Sequence, residues 1–247
     1  RPVYSINRKA GRIRGRARNS GAAQALSAAM ADALGEQGRG GAARGLCLAA
    51  ARALLRIRLR QPGAGELGRD AWVVAPHPDD ETLGCGGTIL RKRELGARVR
   101  VVFLSDGAGS HGRFMPAEAL SALRREEALA ACAALGAEAL FLGLPDGRLM
   151  QRLEEGTELL RELFGRGRAP QVFTTFRGEP PADHRAAFEM ARRALAGAAG
   201  ARLLEYPVWA WRHWPWVPAE AGGRRGRLSE ALAGLARCAA FVGTFRW

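Results

Sequence analysis

Lysine is almost absent from this sequence, with only Lys9 and Lys92, so arginine supplies nearly all of the positive charge. The four cysteines form no Cys-x-x-Cys pair, which argues against a dense disulfide framework and predicts reduced thiols in a cytoplasmic protein. No apolar run approaches the length of a membrane span, and we therefore expect no transmembrane segment. The cysteines are Cys47, Cys85, Cys132 and Cys238.

Acidic residues are scarce near the N-terminus. Residues 1–69 hold 14 Lys and Arg against 3 Asp and Glu, whereas residues 70–247 hold 24 against 21. Such a basic stretch is typical of binding to nucleic acid or to an acidic surface. The chain is also rich in Ala and Gly, however, which suggests a GC-rich coding bias and weakens that interpretation. We predict a basic, partly disordered and partly helical extension over 1–69, with a helix at 46–60, and no specific nucleic-acid partner.

From residue 70 onward, short apolar segments alternate with segments of helical periodicity. This alternation predicts one α/β domain over 70–247, a Rossmann-like three-layer sandwich with a mostly parallel sheet and its first strand near the centre. Ligands of such sheets bind beyond the carboxyl ends of the strands, here between the first and the fourth. A linker is predicted at 61–68. The predicted strands are 71–75, 98–105, 139–143, 171–175 and 203–206, and the predicted helices are 81–95, 116–135, 150–164, 183–196 and 227–238.

The loop after the first predicted strand has the sequence PHPDDE. An imidazole and carboxylates at this spacing provide half of a metal site. The loop after the fourth strand supplies a second imidazole, because Asp183 and His184 open a helix there. Since both loops flank the same crevice, His77, Asp80 and His184 are candidate ligands of one ion. Acidic residues at the start of a helix also interact favourably with the helix dipole. Taken alone, the acidic residues of either loop could have only this structural role.

Two histidines and one carboxylate leave a coordination position open, which is typical of catalytic rather than structural zinc. A bound zinc ion lowers the pKa of its water and polarises a carbonyl group. A neighbouring carboxylate that is not a ligand can accept the proton of that water. Asp79 is therefore the candidate general base.

The segment VVAPHPDDETLGCGGTI at 73–89 resembles the signature of the PIG-L / LmbE-like deacetylases, which remove acetyl groups from N-acetylglucosamine conjugates. The resemblance covers about residues 70–216 and includes five further segments in the order of the family. The first motif is highly specific, and the others are weak alone. The further segments are VVFLSDGAGSH, LRREEALAACAALGAE, FLGLPDG, FRGEPPADHRAA and EYPVWAW.

The resemblance implies a zinc-dependent hydrolase with Asp79 as the general base. The metal is expected to be Zn²⁺, with another divalent ion as the alternative. Arg124 matches an arginine that is expected to point into the site, where it would contact substrate; a solvated ion pair with Glu127 is the alternative. The ligands that the resemblance implies are His77, Asp80 and His184.

Other residues are placed near the site by their position. Asp106 ends the second strand, where it can contact substrate or form an Asp-Gly turn. His111 follows in the same loop and can reach the substrate crevice or remain in solvent. Asp183 precedes His184. It is expected to cap the helix and to contact a metal ligand without binding the ion itself. Asp146, in a Pro-Asp-Gly segment, is expected to be a turn residue.

The first family motif also carries small residues with an expected structural role. Gly84, Gly86 and Gly87 would let the following helix pack close to the sheet, and Cys85 would be a small core residue. Further along, four tryptophans fall within eight residues, where they suit contact with a sugar face. Packing of a C-terminal lobe or contact with a membrane surface is the alternative. These are Trp209, Trp211, Trp214 and Trp216.

Two features depart from the family. Its second motif reads His-x-x-His, and Pro181 stands where the first His is expected. That His would assist the tetrahedral intermediate or the leaving amine, so weak activity is expected unless a residue such as His111 or His213 substitutes for it. The final segment RCAAFVGTFRW does not resemble the C-terminus of the family, which is consistent with truncation or a frameshift.

Together these features predict a zinc-dependent hydrolase that removes an N-acetyl group from an amino sugar or an N-acetylglucosamine conjugate. Two alternatives remain. The protein could be a degenerate family member that binds a glycoconjugate with little turnover, or a nucleic-acid or acidic-surface binder that acts through residues 1–69. The expected partner is a small glycoconjugate substrate, and the sequence gives no prediction of oligomeric state.

Overall fold

The computed structural model describes residues 62–109, 115–165 and 171–209, together with Ala49 and Ala53. The chain divides into two units, and every strand and helix named below belongs to the unit that spans Arg60–Gly234. The predicted domain boundary after residue 69 stays a prediction. The predicted helix at 46–60 (apart from Ala49 and Ala53) and the predicted helix at 227–238 lie outside the described residues.

Five parallel strands form one sheet in the order β3-β2-β1-β4-β5. The first strand is therefore central, as predicted, and the chain order reverses between β1 and β4. Strand positions differ from the predicted ones by a residue at most at either end. The strands are β1 (Ala71–Ala75), β2 (Val99–Ser105), β3 (Glu138–Leu144), β4 (Gln171–Thr175) and β5 (Arg202–Tyr206).

Helices connect the strands, and two of them begin differently from the prediction. The predicted helix at 81–95 opens with a five-residue π-helical turn, Glu81–Cys85, and the one at 150–164 opens with a 3-10 turn, Leu149–Arg152. A π-helical turn is rare and frequently occurs at functional sites. The predicted linker at 61–68 contains a short helix. The helices are α1 (Ala64–Leu67), α2 (Gly86–Glu94), α3 (Ala117–Leu135), α4 (Leu153–Gly165) and α5 (Ala182–Ala194).

The centre of the sheet is buried on both faces: all five residues of β1 are buried and alternate between two apolar clusters. Trp72 and Val74 pack on the face covered by α4 and α5, where Leu160 and Met190 lie. The other residues of β1 pack with α2 and α3 on the opposite face. This arrangement confirms the predicted three-layer α/β sandwich. Among the described helices, none is long and apolar enough to cross a membrane.

Lys92 is a buried cation that connects α1 to the sheet domain. Its side chain is almost inaccessible to solvent, and Nζ donates hydrogen bonds to the backbone oxygens of Glu66, Leu67 and Arg69, at 3.3, 3.3 and 2.7 Å. Burial lowers the pKa of Lys92, because the charged form loses hydration. The carbonyl oxygens at the end of α1 compensate for that loss, so this segment is an integral part of the fold.

Gly84 lies where the π-helical turn meets the end of β5. A Cβ atom at this position would lie 2.3 Å from Cδ2 of Tyr206, so only glycine fits. The expected close packing is thus confirmed for Gly84. It is wrong for Gly86 and Gly87, where a Cβ atom would meet nothing closer than 3.8 Å. Cys85 is buried in the core, as expected.

The contact of Gly84 with Tyr206 predicts a stability difference between two glycine substitutions. Gly84→Ala should lower the free energy of unfolding by about 1–3 kcal/mol, because the methyl group overpacks the ring. The matched Gly87→Ala should leave stability unchanged or raise it by about 0.5–1 kcal/mol, since alanine favours the helix. Urea unfolding in EDTA measures both changes, and equal effects of the two substitutions would contradict the packing account.

Candidate metal centre

The loop after β1 is fixed by neighbours from two other elements. Ser105, the last residue of β2, donates hydrogen bonds from both its backbone N–H and its hydroxyl group to the oxygen of Pro76, at 3.1 and 2.8 Å. Arg124 on α3 donates from Nη1 to the oxygen of Pro78 at 2.8 Å. The backbone on both sides of His77 is thus held before any ligand binds.

His77, Asp80 and His184 converge at the carboxyl ends of β1 and β4. Asp80 Oδ2 lies 3.2 Å from Nδ1 of His77 and 3.5 Å from Nε2 of His184, and the two imidazole centroids are 5.6 Å apart. Zinc–ligand bonds of roughly 2.0–2.2 Å at tetrahedral angles place ligand atoms about 3.3–3.6 Å apart. The spacing and the chemistry of these donors therefore fit a zinc ion with an open coordination position.

A second group surrounds the other nitrogen of His77. Nε2 lies 3.1 Å from Asp146 Oδ1 and 3.3 Å from Asp183 Oδ2. Backbone N–H groups also hold both carboxylates. Asp146 accepts a hydrogen bond from the N–H of Gly109, and Asp183 accepts hydrogen bonds from the N–H groups of residues 147 and 149. Because their oxygens already accept these hydrogen bonds, they suit the orientation of an imidazole better than a second metal site. A proton on Nε2 leaves Nδ1 free to bind the ion next to Asp80.

The carboxylates around His77 create a strongly negative potential. Burial of the ring lowers the pKa of His77, but hydrogen bonds with Asp146, Asp183 and Asp80 outweigh burial and raise that pKa to about 11. The pKa of Asp146 is lowered, since its hydrogen bond with His77 and the charge of that ring overcome the effect of burial. A centre that stabilises a positive charge this strongly is suited to hold a cation.

His184 is buried and faces a carboxylate on each side. Its Nε2 faces Asp80, and its Nδ1 lies 3.5 Å from Oε2 of Glu179. That distance is beyond a good hydrogen bond, and Nδ1 has no closer polar partner in the part of the chain that the structure describes. Thr175, the last residue of β4, donates its hydroxyl hydrogen to the oxygen of His184 at 2.8 Å, which fixes the start of α5 against the sheet.

Asp79 has an unusual backbone conformation, with φ at 114°. Its N–H donates to Oε2 of the buried Glu81 at 3.0 Å, and Oδ2 lies 3.5 Å from Nη1 of Arg124. Burial raises the pKa of Asp79 to about 6, the charge of Asp80 adds to the rise, and Arg124 opposes it. A half-exposed carboxylate (53%) beside the candidate ligands has the position of a general base.

The predicted site residues divide into three groups. His77, Asp79, Asp80, His184, Asp183 and Arg124 come together at one edge of the sheet. Asp106 accepts a hydrogen bond from the N–H of Ala108 at 3.1 Å, which is the turn that the sequence offered as the alternative. His111 and His213 lie outside the described residues, as do the tryptophans beyond Trp209.

Asp183 does not cap α5, so that prediction is wrong. The N-cap residue is Pro181, and Asp183 is the second residue of the helix. Its carboxylate points away from the helix start because the loop after β3 supplies two backbone N–H donors, and His77 supplies a third partner. The expected role of Asp183, to orient a metal ligand, stays a prediction.

Sequence reasoning missed two residues that contact the candidate ligands. Asp146 was predicted to form a turn, and Glu179 was not singled out. The position of Asp146 directly after the carboxyl end of β3 could have indicated its role, because the site lies at that edge of the sheet. Glu179 lies five residues before His184 in the loop after β4, but without the fold no pattern relates it to the imidazole.

Comparison with known proteins gives a family for this fold and site. The sequence profile described as PIG-L: GlcNAc-PI de-N-acetylase matches residues 72–195, which is half of the chain. A search of curated protein sequences gave no match. Among solved structures, the 4-carboxy-2-hydroxymuconate hydratase of Pseudomonas putida KT2440 has 29% identity over 52% of this chain and 56% of that chain, with a TM-score of 0.48.

Two deacetylases are also similar in structure. The N,N'-diacetylchitobiose deacetylase of Pyrococcus horikoshii has 28% identity over 52% of this chain and 49% of that chain, with a TM-score of 0.47. The A40926 pseudoaglycone deacetylase has 19% identity over 71% and 84%, with a TM-score of 0.53, and supports the fold alone. This chain spans about half the length of the hydratase and of the diacetylchitobiose deacetylase.

The fold is a parallel α/β sandwich, and its histidines and carboxylates lie at the carboxyl ends of the strands, where such folds bind ligands. Because the family profile covers half of the chain, the protein belongs to the PIG-L family.

The positive φ of Asp79 predicts an unusual order of stabilities. Asp79→Gly should be more stable than Asp79→Ala by about 1 kcal/mol, since both remove the carboxylate but only glycine relieves the backbone strain. The same pair at the exposed Asp70, whose φ is not positive, should show the reverse order. Urea unfolding in EDTA gives the four values, and the same order at both positions would show that Asp79 is not strained.

Proposed function

We propose that the protein is a zinc-dependent N-deacetylase that hydrolyses the N-acetyl group of an amino sugar or of an N-acetylglucosamine conjugate. The observation that carries this proposal is the position of Asp80 Oδ2, 3.2 Å from a nitrogen of His77 and 3.5 Å from a nitrogen of His184. The family profile, described as GlcNAc-PI de-N-acetylase, supports both the reaction and the amino-sugar class of substrate.

His77, Asp80 and His184 would hold the ion. When bound there, Zn²⁺ supplies an acidified water molecule and an electrophilic contact for the amide carbonyl. The chain itself supplies a proton acceptor, because Asp79 is next to a ligand and half-exposed toward solvent. Arg124 contacts both Asp79 and the oxygen of Pro78, so it holds the proton acceptor at the edge of the site.

The reaction is a hydrolysis. The oxygen of water bonds to the amide carbonyl carbon, the bond between that carbon and nitrogen breaks, and the products are acetate and a free amine. Asp79 accepts a proton from the water and returns a proton to the departing nitrogen. Trp209 lies just beyond β5 and is 38% exposed, and an exposed aromatic face there would suit contact with a sugar ring.

The proposed roles predict different defects for two substitutions. Asp79→Asn should retain zinc but lose about 10²–10⁴-fold in kcat, because it removes the proton acceptor. His184→Ala should lose both zinc and turnover, since it removes a ligand. Primary-amine release from a panel of N-acetylglucosamine conjugates, with zinc content by atomic absorption, measures both properties.

Asp70→Asn is the matched control for this experiment. Asp70 is exposed at the opposite end of the sheet, where its carboxylate accepts the N–H of Arg98, so its substitution should change neither property. Full turnover in zinc-free His184→Ala would exclude a metal mechanism. Full turnover in Asp79→Asn would exclude Asp79 as the proton acceptor.

A second candidate function is favoured by Pro181. This residue caps α5 with φ at −64° and ψ at 136°, and its ring carries no group that donates or accepts a proton. Pro181 occupies the sequence position at which the resemblance implies a histidine that assists the leaving amine. The protein could therefore bind a glycoconjugate and turn it over slowly.

Restoring the missing imidazole distinguishes these two functions. If the absent histidine limits turnover, Pro181→His should raise kcat by about 10²-fold, because a proton donor is added beside the leaving group. Pro180→His adds the same side chain one position earlier and should have no such effect. Comparison of kcat for the zinc-loaded variants tests this, and equal rates in all three proteins would show that Pro181 does not limit the reaction.

The remaining properties stay predictions. A cytoplasmic location follows from cysteine usage alone, and a role of residues 1–69 in binding acidic partners would appear as steep salt dependence that is lost on their removal.

A further inference from the structure

We propose that Glu179 is a positioning residue, whose carboxylate sets the tautomer of His184 for metal binding and at the same time fastens the segment after β5 to the metal centre. This inference rests on the proposed function, since it concerns the same metal centre. Neither the sequence pattern nor the family resemblance assigns a role to this glutamate.

Glu179 is among the most deeply buried charged residues of the fold, with 1% of its surface exposed. Its Oε1 accepts the backbone N–H groups of Val208 at 2.8 Å and Trp209 at 3.1 Å. Its Oε2 lies 3.2 Å from the same N–H of Trp209 and 3.5 Å from Nδ1 of His184. A buried carboxylate is costly unless it is hydrogen-bonded, so these contacts explain how it is tolerated.

The charge of the carboxylate favours a proton on one ring nitrogen of His184, although the 3.5 Å between Oε2 and Nδ1 is longer than a good hydrogen bond. A carboxylate only accepts hydrogen bonds, and Nδ1 is the ring nitrogen that faces Glu179. The proton is therefore favoured on Nδ1, and the lone pair is left on Nε2, which faces Asp80 at 3.5 Å. A carboxylate behind a ligating histidine both orients the ring and makes it a stronger ligand.

The backbone contacts keep this carboxylate in place. The N–H of Glu179 donates to the oxygen of Phe176 in a tight turn, and two prolines follow, each with a fixed φ. The N–H groups of Val208 and Trp209 hold the carboxylate from the opposite side. Glu179 consequently connects the loops after β4 and β5, and the position of the Trp209 segment depends on the same group that orients His184.

Glu179→Gln tests this arrangement because glutamine has the same shape but only one acceptor oxygen. In the native protein Oε1 accepts the N–H groups of Val208 and Trp209, while Oε2 shares the N–H of Trp209 and faces Nδ1 of His184. In the variant, an amide nitrogen must face either the backbone donors or Nδ1. The second choice favours the proton on Nε2, which prevents that nitrogen from binding a metal ion.

The measurement is the affinity of the folded metal-free protein for Zn²⁺, by competition with a chromogenic chelator at a temperature well below unfolding. We expect Glu179→Gln to bind zinc about 10–100-fold more weakly than the unsubstituted protein. Glu162→Gln, the same substitution at an exposed position of α4, should bind with unchanged affinity. The visible spectrum of the Co²⁺-loaded protein should change in Glu179→Gln alone, because a purely structural role would leave the coordination as it was.

Each outcome has a separate meaning. If the unsubstituted protein does not bind zinc, the proposed metal centre fails and this inference fails with it. If it binds zinc and Glu179→Gln binds equally well with the same Co²⁺ spectrum, the metal centre stands and the role of Glu179 is overturned.

A measurement on the unsubstituted protein covers the case in which Glu179→Gln does not fold. The chain has only four histidines, so nitrogen-15 NMR of the zinc-loaded protein resolves their rings. We expect His184 to have a protonated Nδ1 and a metal-bound Nε2. The opposite assignment, with zinc on Nδ1, would overturn the inference.

Discussion

The site depends on one electrostatic constraint, the packing of three carboxylates around the imidazole of His77. Asp80 lies at one ring nitrogen, and Asp146 and Asp183 lie at the other. Carboxylates this close repel one another unless a cation and hydrogen-bond donors compensate. The donors come from the loops after β2 and β3, through the N–H groups of 109, 147 and 149. Loops that follow four strands are thus held together by the charge balance at a single ring.

The topology of the sheet explains why these loops can meet. With β1 at the centre and β2 and β4 on either side, the carboxyl ends of the three strands are neighbours. Each end contributes a fixed element: the His77 loop, the paired hydrogen bonds from Ser105 to Pro76, and the start of α5 with His184. Rigid strands therefore set the distances between donors that are far apart in sequence, which is what a preorganised metal site requires.

Local patterns were sufficient for the strands and for most of the helical segments, because a buried parallel sheet produces short apolar runs that helices separate. They also located the candidate ligands, since two loops with histidines had to lie at the same edge. Patterns failed where partners come from distant loops. Asp183 is a residue type that often caps helices, yet its carboxylate accepts hydrogen bonds from the loop after β3. Nothing near Glu179 in the sequence indicates its contact with His184. The sequence pattern did not predict the positive φ of Asp79 either, because no glycine marks that position.

The buried ammonium group of Lys92 has a consequence for how the protein may be shortened. Its three acceptors are backbone oxygens of residues 66–69, so they precede the first strand and carry no recognisable motif. A shortened protein that begins at Ala71 would keep the strands and the candidate site, but it would remove all three acceptors of Lys92 and uncover its ammonium group to water. The packing of the sheet around Lys92 therefore involves a segment ahead of β1, although that segment contributes no residue to the candidate site.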